Sequence, residues 1–251
     1  MASRIKRSCR RALVTRPKKD AEKTRVKLRE LGFEVMMEPL LNISPCMGSK
    51  PKIAAAISRK PQAILITSAN GIRKLAELND NRELIVFCVG DTSSDAAKSF
   101  GYKKIFSASG DVNELAGMVR KKLKPEKGFL LHVSGMTVAG DLAGELSKDG
   151  FEVQKIAVYD AKPVENLSPG VKVALVNCDI DFVVFYSART AKIFEELLAK
   201  DRLEYITANL EAYCLSPKTE MNLKWKKIHF SKKPNEDMLL ELIDKQTMDQ
   251  S

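Results

Sequence analysis

The chain has 251 residues, 44% of them hydrophobic, enough for one large core or two ordinary ones. Its apolar runs stop at five or six residues, too short for a membrane span. The opening segment is positive without the apolar centre of a secretory signal, so a cytosolic protein is expected. Of the net charge of +10, five units sit in the first eleven residues, on Arg4, Lys6, Arg7, Arg10 and Arg11, which read as a solvated tail, and the moderate excess left can steer a small anion. Without interleaved aromatics or a recognised motif, nucleic-acid binding is not expected.

In chain order, the first strand leads into Val14-Thr15-Arg16-Pro17, where proline follows Arg16 at a helix start. Gly32-Phe33-Glu34-Val35 opens a second strand, followed by a β-prone stretch at 36–45 that is bounded by proline and lacks helical periodicity. Ala63-Ile64-Leu65-Ile66 runs straight into the hydroxyl-rich turn Thr67-Ser68-Ala69-Asn70. Leu84-Ile85-Val86-Phe87-Cys88-Val89 has no polar alternation, as expected of a strand covered by helices on both faces. Asp111 and Glu114 suit a capping box.

Phe129-Leu130-Leu131-His132-Val133 is another apolar strand, in which His132 reads as a hydrogen-bonded structural histidine. Ala139, Leu142, Ala143 and Leu146 form a helical stripe before Gly150-Phe151-Glu152-Val153 and a second extended stretch at 154–163. Ser168-Pro169 and Ser216-Pro217 each set a capping hydroxyl before a proline at a first helical position. Between them, Phe182-Val183-Val184-Phe185 enters the turn Tyr186-Ser187-Ala188-Arg189, and at 188–199 Ala191, Phe194 and Leu198, with Ile193 and Leu197 beside them, make one helical stripe.

These pieces repeat at an offset of roughly 120 residues. Residues 12–45 match 129–163, with Gly-Phe-Glu-Val identical in both, and the Thr67-Ser68 turn matches Tyr186-Ser187. Cys88-Val89-Gly90-Asp91-Thr92-Ser93 matches Cys214-Leu215-Ser216-Pro217-Lys218-Thr219, and Lys103-Lys104-Ile105-Phe106 matches Lys226-Lys227-Ile228-His229. The alternation of strand and helix predicts an α/β protein of two domains. If 36–45 and 154–163 are paired linkers, domain 1 is discontinuous, 1–40 plus 162–251, and domain 2 is 41–161. Polar turns at strand ends in two related lobes predict a cleft between them, since open parallel sheets bind ligands outside their carboxyl ends.

Five widely spaced cysteines, Cys9, Cys46, Cys88, Cys178 and Cys214, include no C-x-x-C pair and read as reduced thiols. With only His132 and His229 as histidines, no metal site is expected. Gly135-x-x-x-x-Gly140 lacks the Lys-Ser/Thr of a phosphate loop and no G-x-G-x-x-G follows a strand, so nucleotide chemistry is not expected either. Nothing resembles a coiled coil or an exposed apolar stripe.

Val14-Thr15-Arg16-Pro17, Glu38-Pro39-Leu40-Leu41-Asn42-Ile43, Ile66-Thr67-Ser68-Ala69-Asn70-Gly71, Val89-Gly90-Asp91-Thr92-Ser93, Val158-Tyr159, Phe185-Tyr186-Ser187-Ala188-Arg189-Thr190-Ala191 and Ser216-Pro217-Lys218-Thr219, in this order and spacing, resemble the uroporphyrinogen-III synthase family from about residue 12 to 245. The resemblance implies two flavodoxin-like, doubly wound parallel-sheet domains joined by a two-stranded β-ladder. It implies cofactor-free closure of the linear tetrapyrrole hydroxymethylbilane, which carries eight carboxylates, to uroporphyrinogen III in the interdomain cleft, and a cytoplasmic monomer in porphyrin and heme biosynthesis. Tyr159 matches the family's linker tyrosine and is assigned as proton or hydrogen-bond donor to the departing hydroxyl; packing one domain against the other is its alternative role.

Substrate binding falls to Thr67, Ser68, Asn70, Thr92, Ser93, Ser187, Arg189, Lys218 and Thr219, with Arg16 and Arg189 as carboxylate partners because guanidinium can grip a carboxylate with two parallel bonds. Helix capping is the alternative use of each turn residue. The sequence departs from the family at Ser134, where many relatives carry arginine, and at Ser216 and Lys218, which replace a glycine and a threonine. Tyr186 stands where the other half has Thr67. A two-lobed protein that closes on a small anion without reacting it is the competing reading.

Overall fold

The structure, a computed structural model, describes residues 9–108, 110–138 and 140–248; Arg4, Lys6 and Arg7 of the basic opening and Ala139 of the helical stripe lie outside the described residues. In chain order the elements of the first half are β1 (Arg11–Val14), α1 (Lys18–Glu30), β2 (Glu34–Met37), β3 (Leu41–Pro45), α2 (Ser49–Ser58), β4 (Ala63–Ile66), α3 (Ala69–Leu78), β5 (Ile85–Cys88), α4 (Asp91–Ser99), β6 (Lys104–Ser107) and α5 (Val112–Lys122). There follow β7 (Leu130–Gly135), α6 (Leu142–Lys148), β8 (Val153–Pro163), α7 (Pro169–Val176), β9 (Phe182–Phe185), α8 (Ala188–Lys200), β10 (Glu211–Cys214), β11 (Lys227–Phe230) and α9 (Glu236–Met248). Two compact units result, Met1–Asn42 with Lys162–Ser251, and Ile43–Ala161.

The first unit holds a sheet of order β11-β10-β9-β1-β2, its pairs parallel throughout. Alternate residues of each strand enter opposite cores. Leu13, Val183 and Phe185 pack with residues of α7 and α8, whereas Ala12, Val14, Phe182 and Val184 pack with Ala21 and Leu28 of α1 and Leu239 and Ile243 of α9. Both faces are therefore covered, which is why these strands lack polar alternation.

The second unit holds the order β3-β8-β7-β4-β5-β6. Without β3 it is the first unit's sheet again: β8, β7, β4, β5 and β6 stand where β2, β1, β9, β10 and β11 stand. Both orders are flavodoxin-like, 2-1-3-4-5, and the second unit enters its sheet at the third strand instead of the first. Strand β3 lies beside β8 at the edge. Around it, the Cys46 amide donates to the Val158 carbonyl at 3.1 Å and the Val164 amide to the Leu40 carbonyl at 3.1 Å.

The identical Gly-Phe-Glu-Val segments have one physical cause. Gly32 and Gly150 take φ of +85° and +83°, a region open to glycine at little cost. At the end of α1 the Gly32 amide reaches the Arg29 carbonyl (2.9 Å) and the Phe33 amide the Leu28 carbonyl (3.0 Å); at the end of α6, Gly150 reaches Ser147 (3.1 Å) and Phe151 reaches Leu146 (3.2 Å). These are Schellman closures, and the buried Phe33 and Phe151 supply the apolar contact that accompanies them.

Helix starts follow the sequence in part. The Asp111 carboxylate accepts from the amides of Asn113 and Glu114, and Pro169 opens α7 after Ser168. The Ser168 hydroxyl does not cap, however; it donates to Glu38 at 2.7 Å, and the Ser168 amide donates to the same carboxylate at 2.6 Å. Pro17 is the residue before α1 and not its first, a one-residue difference within the ordinary spread of helix ends.

The expected helix at Ser216-Pro217 is absent. Residues 216–219 form a turn closed by the Thr219 amide on the Ser216 carbonyl (3.1 Å), and an irregular segment continues to β11 where the second unit has α4. Met221, Leu223 and Trp225 alternate toward the core, a spacing of two that suits extended chain and not helix. Buried Glu195 of α8 holds this segment, accepting from the Asn222 amide (2.9 Å) and side chain (3.2 Å), the Leu223 amide (3.1 Å) and the Trp225 indole (2.8 Å).

The tail reading also needs correction at its end. Arg11 belongs to β1 and its Nε donates to Glu34 at 2.8 Å, while Arg10 pairs with buried Glu211 at 3.3 Å and lies over the Phe182 ring. His229, Lys226 and Arg10 hold the Glu211 carboxyl well below the usual carboxylate range against the effect of burial, at the amino end of the sheet.

Glu195→Ala leaves the half-buried Leu223 amide and the buried Trp225 indole without their acceptor and releases both donors of exposed Asn222, so it is expected to lower stability by about 3 kcal/mol. Urea denaturation checks this, and an unchanged midpoint would mean that the 219–226 segment is anchored by its apolar side chains alone.

Candidate functional site

Parallel strands collect their carboxyl ends on one edge of a sheet, and in this strand order the ligand crevice opens where neighbouring strands continue in opposite directions. In the second unit that point lies between β7 and β4. Here β4 ends in Thr67-Ser68 and β7 in Ser134-Gly135. Ser68 is the N-cap of α3 and its Oγ accepts from the Asn70 amide at 3.2 Å. The Asn70 side-chain oxygen, Oδ1, accepts from Arg73 at 3.0 Å, and Thr67 Oγ1 lies 3.3 Å from His132 Nε2.

Helix α3 sits close upon β7. A Cβ at Gly71 would lie 3.0 Å from the Val133 carbonyl oxygen, so the glycine of the Ser-Ala-Asn-Gly turn permits this approach. One strand further along the edge, β5 leads into α4 through Gly90, which offers no side-chain cap. Thr92 and buried Ser93 therefore lie in the first turn of that helix, one strand away from the Thr67 turn.

Tyr159 stands on the other side of β7. The β7–β8 register shifts between Ser134 and Gly135, pairing Ser134 with Ala157 but Gly135 with Tyr159. Such a bulge re-aims the side chain that follows it. The Tyr159 ring lies over Gly135, where a Cβ would come within 2.8–3.0 Å of Cζ, Cε2 and the hydroxyl oxygen. The residue is buried. Thus Tyr159, within β8, Ser134 and Gly135, at the end of β7, and Thr67 and Ser68, following β4, come from three neighbouring strands.

In the first unit the corresponding point lies between β1 and β9, where Arg16 meets Tyr186-Ser187. The Ser187 Oγ accepts from the Thr190 amide at 3.2 Å, repeating Ser68. Arg16 is buried. Its Nη1 donates to Thr24 (3.1 Å) and to Glu236 of α9 (2.6 Å), and its guanidinium lies 3.8 Å from the centre of the Tyr186 ring. The Tyr186 hydroxyl donates to the same Glu236 oxygen at 2.8 Å and Lys27 reaches its other oxygen at 3.2 Å. Burial pushes the Glu236 carboxyl up, but Arg16, Tyr186, Lys27 and Thr24 outweigh it and hold it below the usual range. Burial pushes the Tyr186 hydroxyl well up.

Arg189 lies in the first turn of α8, half-buried. Lys218 and Thr219 belong to the 216–219 turn at the end of β10, Lys218 exposed and Thr219 buried, and the Lys218 amide donates to the Ser216 hydroxyl at 3.2 Å. No helix begins there. Sequence reasoning passed over Glu236, although its position at the start of a helix was the available signal. Cys88 and Cys214 are buried counterparts at the ends of β5 and β10, and burial pushes both thiols up to about 12, which makes them inert. Among the described residues no cluster of His, Cys, Asp and Glu suits a metal ion, and no helix is long and apolar enough to cross a membrane.

A duplicated α/β protein with hydroxyl-rich turns on the carboxyl edge of each sheet is the class that fold and site define. The family model described as uroporphyrinogen-III synthase HemD matches residues 22–241. The porphyrin biosynthesis protein HemD of Ruminiclostridium josui is 26% identical over 218 residues, 82% of this chain, and the chain spans 42% of that relative's length. Two solved structures share the fold at 15% identity: a uroporphyrinogen III synthase mutant from Thermus thermophilus (TM-score 0.61, covering 97% of this chain and 100% of that one) and the enzyme from Helicobacter pylori (TM-score 0.60, 94% and 99%). The chain belongs to the uroporphyrinogen-III synthase family.

Because the folded-state pKa of Glu236 is depressed, its stabilisation is complete above the unfolded value and is lost as pH falls through the folded one. Glu236→Gln should therefore cost about 1–2 kcal/mol at pH 7, and the gap from the parent protein should close below about pH 4. Urea melts across pH measure it; a gap that stays constant would show that the charge contributes nothing.

Proposed function

We propose that the chain catalyses the reaction of its family, closing hydroxymethylbilane to uroporphyrinogen III with inversion of ring D and loss of water. Support comes first from one observation: a chain of this family carries the same hydroxyl-rich turn at the end of a central strand in each of its two units. Thr67, Ser68, Asn70, Thr92 and Ser93 in one unit, and Arg16, Ser187, Arg189, Lys218 and Thr219 in the other, are the proposed contacts for the substrate's carboxylates. Hydroxyl and amide donors at helix starts suit anions, and the net charge of +10 favours their approach.

The chemistry needs little nucleophilic power from the protein. The pyrrole nitrogen lone pair of ring A expels the hydroxymethyl oxygen, which takes a proton and leaves as water. The resulting azafulvene is attacked by the substituted α-carbon of ring D. The bond from that carbon to the methylene shared with ring C then breaks, and the released methylene re-forms its bond at ring D's free α-carbon, which loses its proton. Ring D is thereby inverted, whereas unguided closure joins the free position directly. Binding that folds the chain so that this carbon meets the electrophile supplies proximity and orientation, and donors aimed at changing charge supply electrostatic help.

Tyr159 is the proposed donor to the departing oxygen. A phenol is a weak acid, but a positioned hydrogen-bond donor stabilises the leaving oxygen as its charge grows. The reading includes a cytosolic, monomeric enzyme working without added cofactor; five widely spaced cysteines with no C-x-x-C pair suit a reducing compartment.

Incubating the purified protein with freshly generated hydroxymethylbilane and separating the oxidised products tests the activity, with the type III isomer expected in excess of the protein-free control. An isomer composition equal to that control would make the protein a binding module. Tyr159→Phe should slow turnover by roughly one to two orders of magnitude. An unchanged rate would return Tyr159 to a packing role.

A further inference from the structure

His132 is a buried titratable group for which the proposed mechanism has no use. It lies in β7 with Leu65 of β4 on one side and Lys155 of β8 on the other, and it is 2% exposed. Its Nε2 is 3.3 Å from Thr67 Oγ1, and its Nδ1 has no hydrogen-bond partner among the described residues. Resting on the function proposed above, we infer that His132 is a positioning residue: its Nε2–H donates to the Thr67 hydroxyl and so reserves that hydroxyl's own proton for a substrate carboxylate.

Proton counting fixes the tautomer. Burial, with the Lys155 charge adding to it, lowers the imidazole pKa to about 4, so at neutral pH the ring holds one proton for two nitrogens. With that proton on Nδ1, a buried N–H has no acceptor, and Thr67 must spend its own proton on Nε2. With it on Nε2, only a lone pair goes unmet at Nδ1. Buried orphan N–H groups are rarer than under-satisfied acceptors, and Nε2–H is also the more stable tautomer of a free histidine side chain. The second arrangement wins on both counts.

Its consequence falls on the site. A hydroxyl has one proton to give, and a carboxylate can only accept. Thr67, its acceptor side filled by His132, is left as a donor. Ser68 beside it is in the same state, since its Oγ already accepts from the Asn70 amide. The turn therefore presents two hydroxyl protons to an anion without a charged side chain, and a histidine that stays neutral needs no counter-charge in the core.

Nitrogen NMR of the ring-labelled wild-type protein tests the tautomer directly, and the spectrum of His132→Gln assigns the resonances by their loss. A protonated Nε2 with a bare Nδ1 at pH 7 is expected; a protonated Nδ1 overturns the inference whatever the activity. In steady-state assays His132→Phe should raise KM about fivefold with kcat changed less than about twofold. His132→Gln, which keeps an N–H at the same reach, should restore most of the loss.

Thr67→Val should match His132→Phe, and the double variant should be no worse than Thr67→Val alone. Additive losses would mean that His132 does not act through Thr67. Failure of the functional reading looks different: the wild-type protein itself would show no isomer bias.

Discussion

The constraint on which the rest depends is that all strands of a parallel sheet end on the same edge. Buried on both faces, the strands are mostly apolar along their length, so most of the polar groups of each unit gather where the chain leaves the sheet. Thr67 and Ser68 follow β4, Arg16 follows β1, Ser187 follows β9, and Tyr159, within β8, is set beside the end of β7 by a bulge. The apolar strands and the polar turns are consequences of one arrangement, and the strand order then decides which turns become neighbours.

How much of this was legible in the sequence follows from the range of the interactions. Local signals read well: Gly32 and Gly150 mark the same helix closure, Asp111 caps α5, and the stripe at Ala191, Phe194 and Leu198 faces a core. Signals that depend on distant partners did not. Ser216-Pro217 has the local form of a helix start, yet Glu195 holds the following segment extended. Ser168 has the local form of a cap, but its hydroxyl answers Glu38, 130 residues away in the chain. Arg10 and Arg11 belong by composition to a basic tail, and only the pairing of β1 with β2 and β9 brings them to Glu34, Asp181 and Glu211.

The departures between the two units matter more than their likeness. Where the second unit has Thr67 the first has Tyr186, and the larger side chain brings a different electrostatic solution. Tyr186 lies against the Arg16 guanidinium and donates to Glu236, so an internal carboxylate already occupies the most strongly cationic group on that edge. In the second unit Thr67 instead neighbours a neutral histidine, His132. Duplication supplied the same turn twice, and side-chain substitution separated the charge states of the two copies.

That separation bears on how a polyanion can be held. A carboxylate of the proposed substrate approaching Arg16 would have to share the guanidinium with Glu236, because expelling Glu236 would leave a half-buried carboxylate without its partners, a loss of several kcal/mol in comparable pairs. Sharing is possible, since among the described residues only Nη1 of the guanidinium is committed, to Thr24 and Glu236, and a guanidinium offers five donors. The Thr67-Ser68 turn faces no such competition, for its donors are neutral and nothing must leave before an anion binds. Each hydrogen bond there is weaker than one to guanidinium, but it costs less desolvation to form. For a flexible ligand with many carboxylates, several modest donors fixed on rigid strand ends give a more definite fold than one strong cation, because they constrain position at several points and leave no single group to dominate the binding.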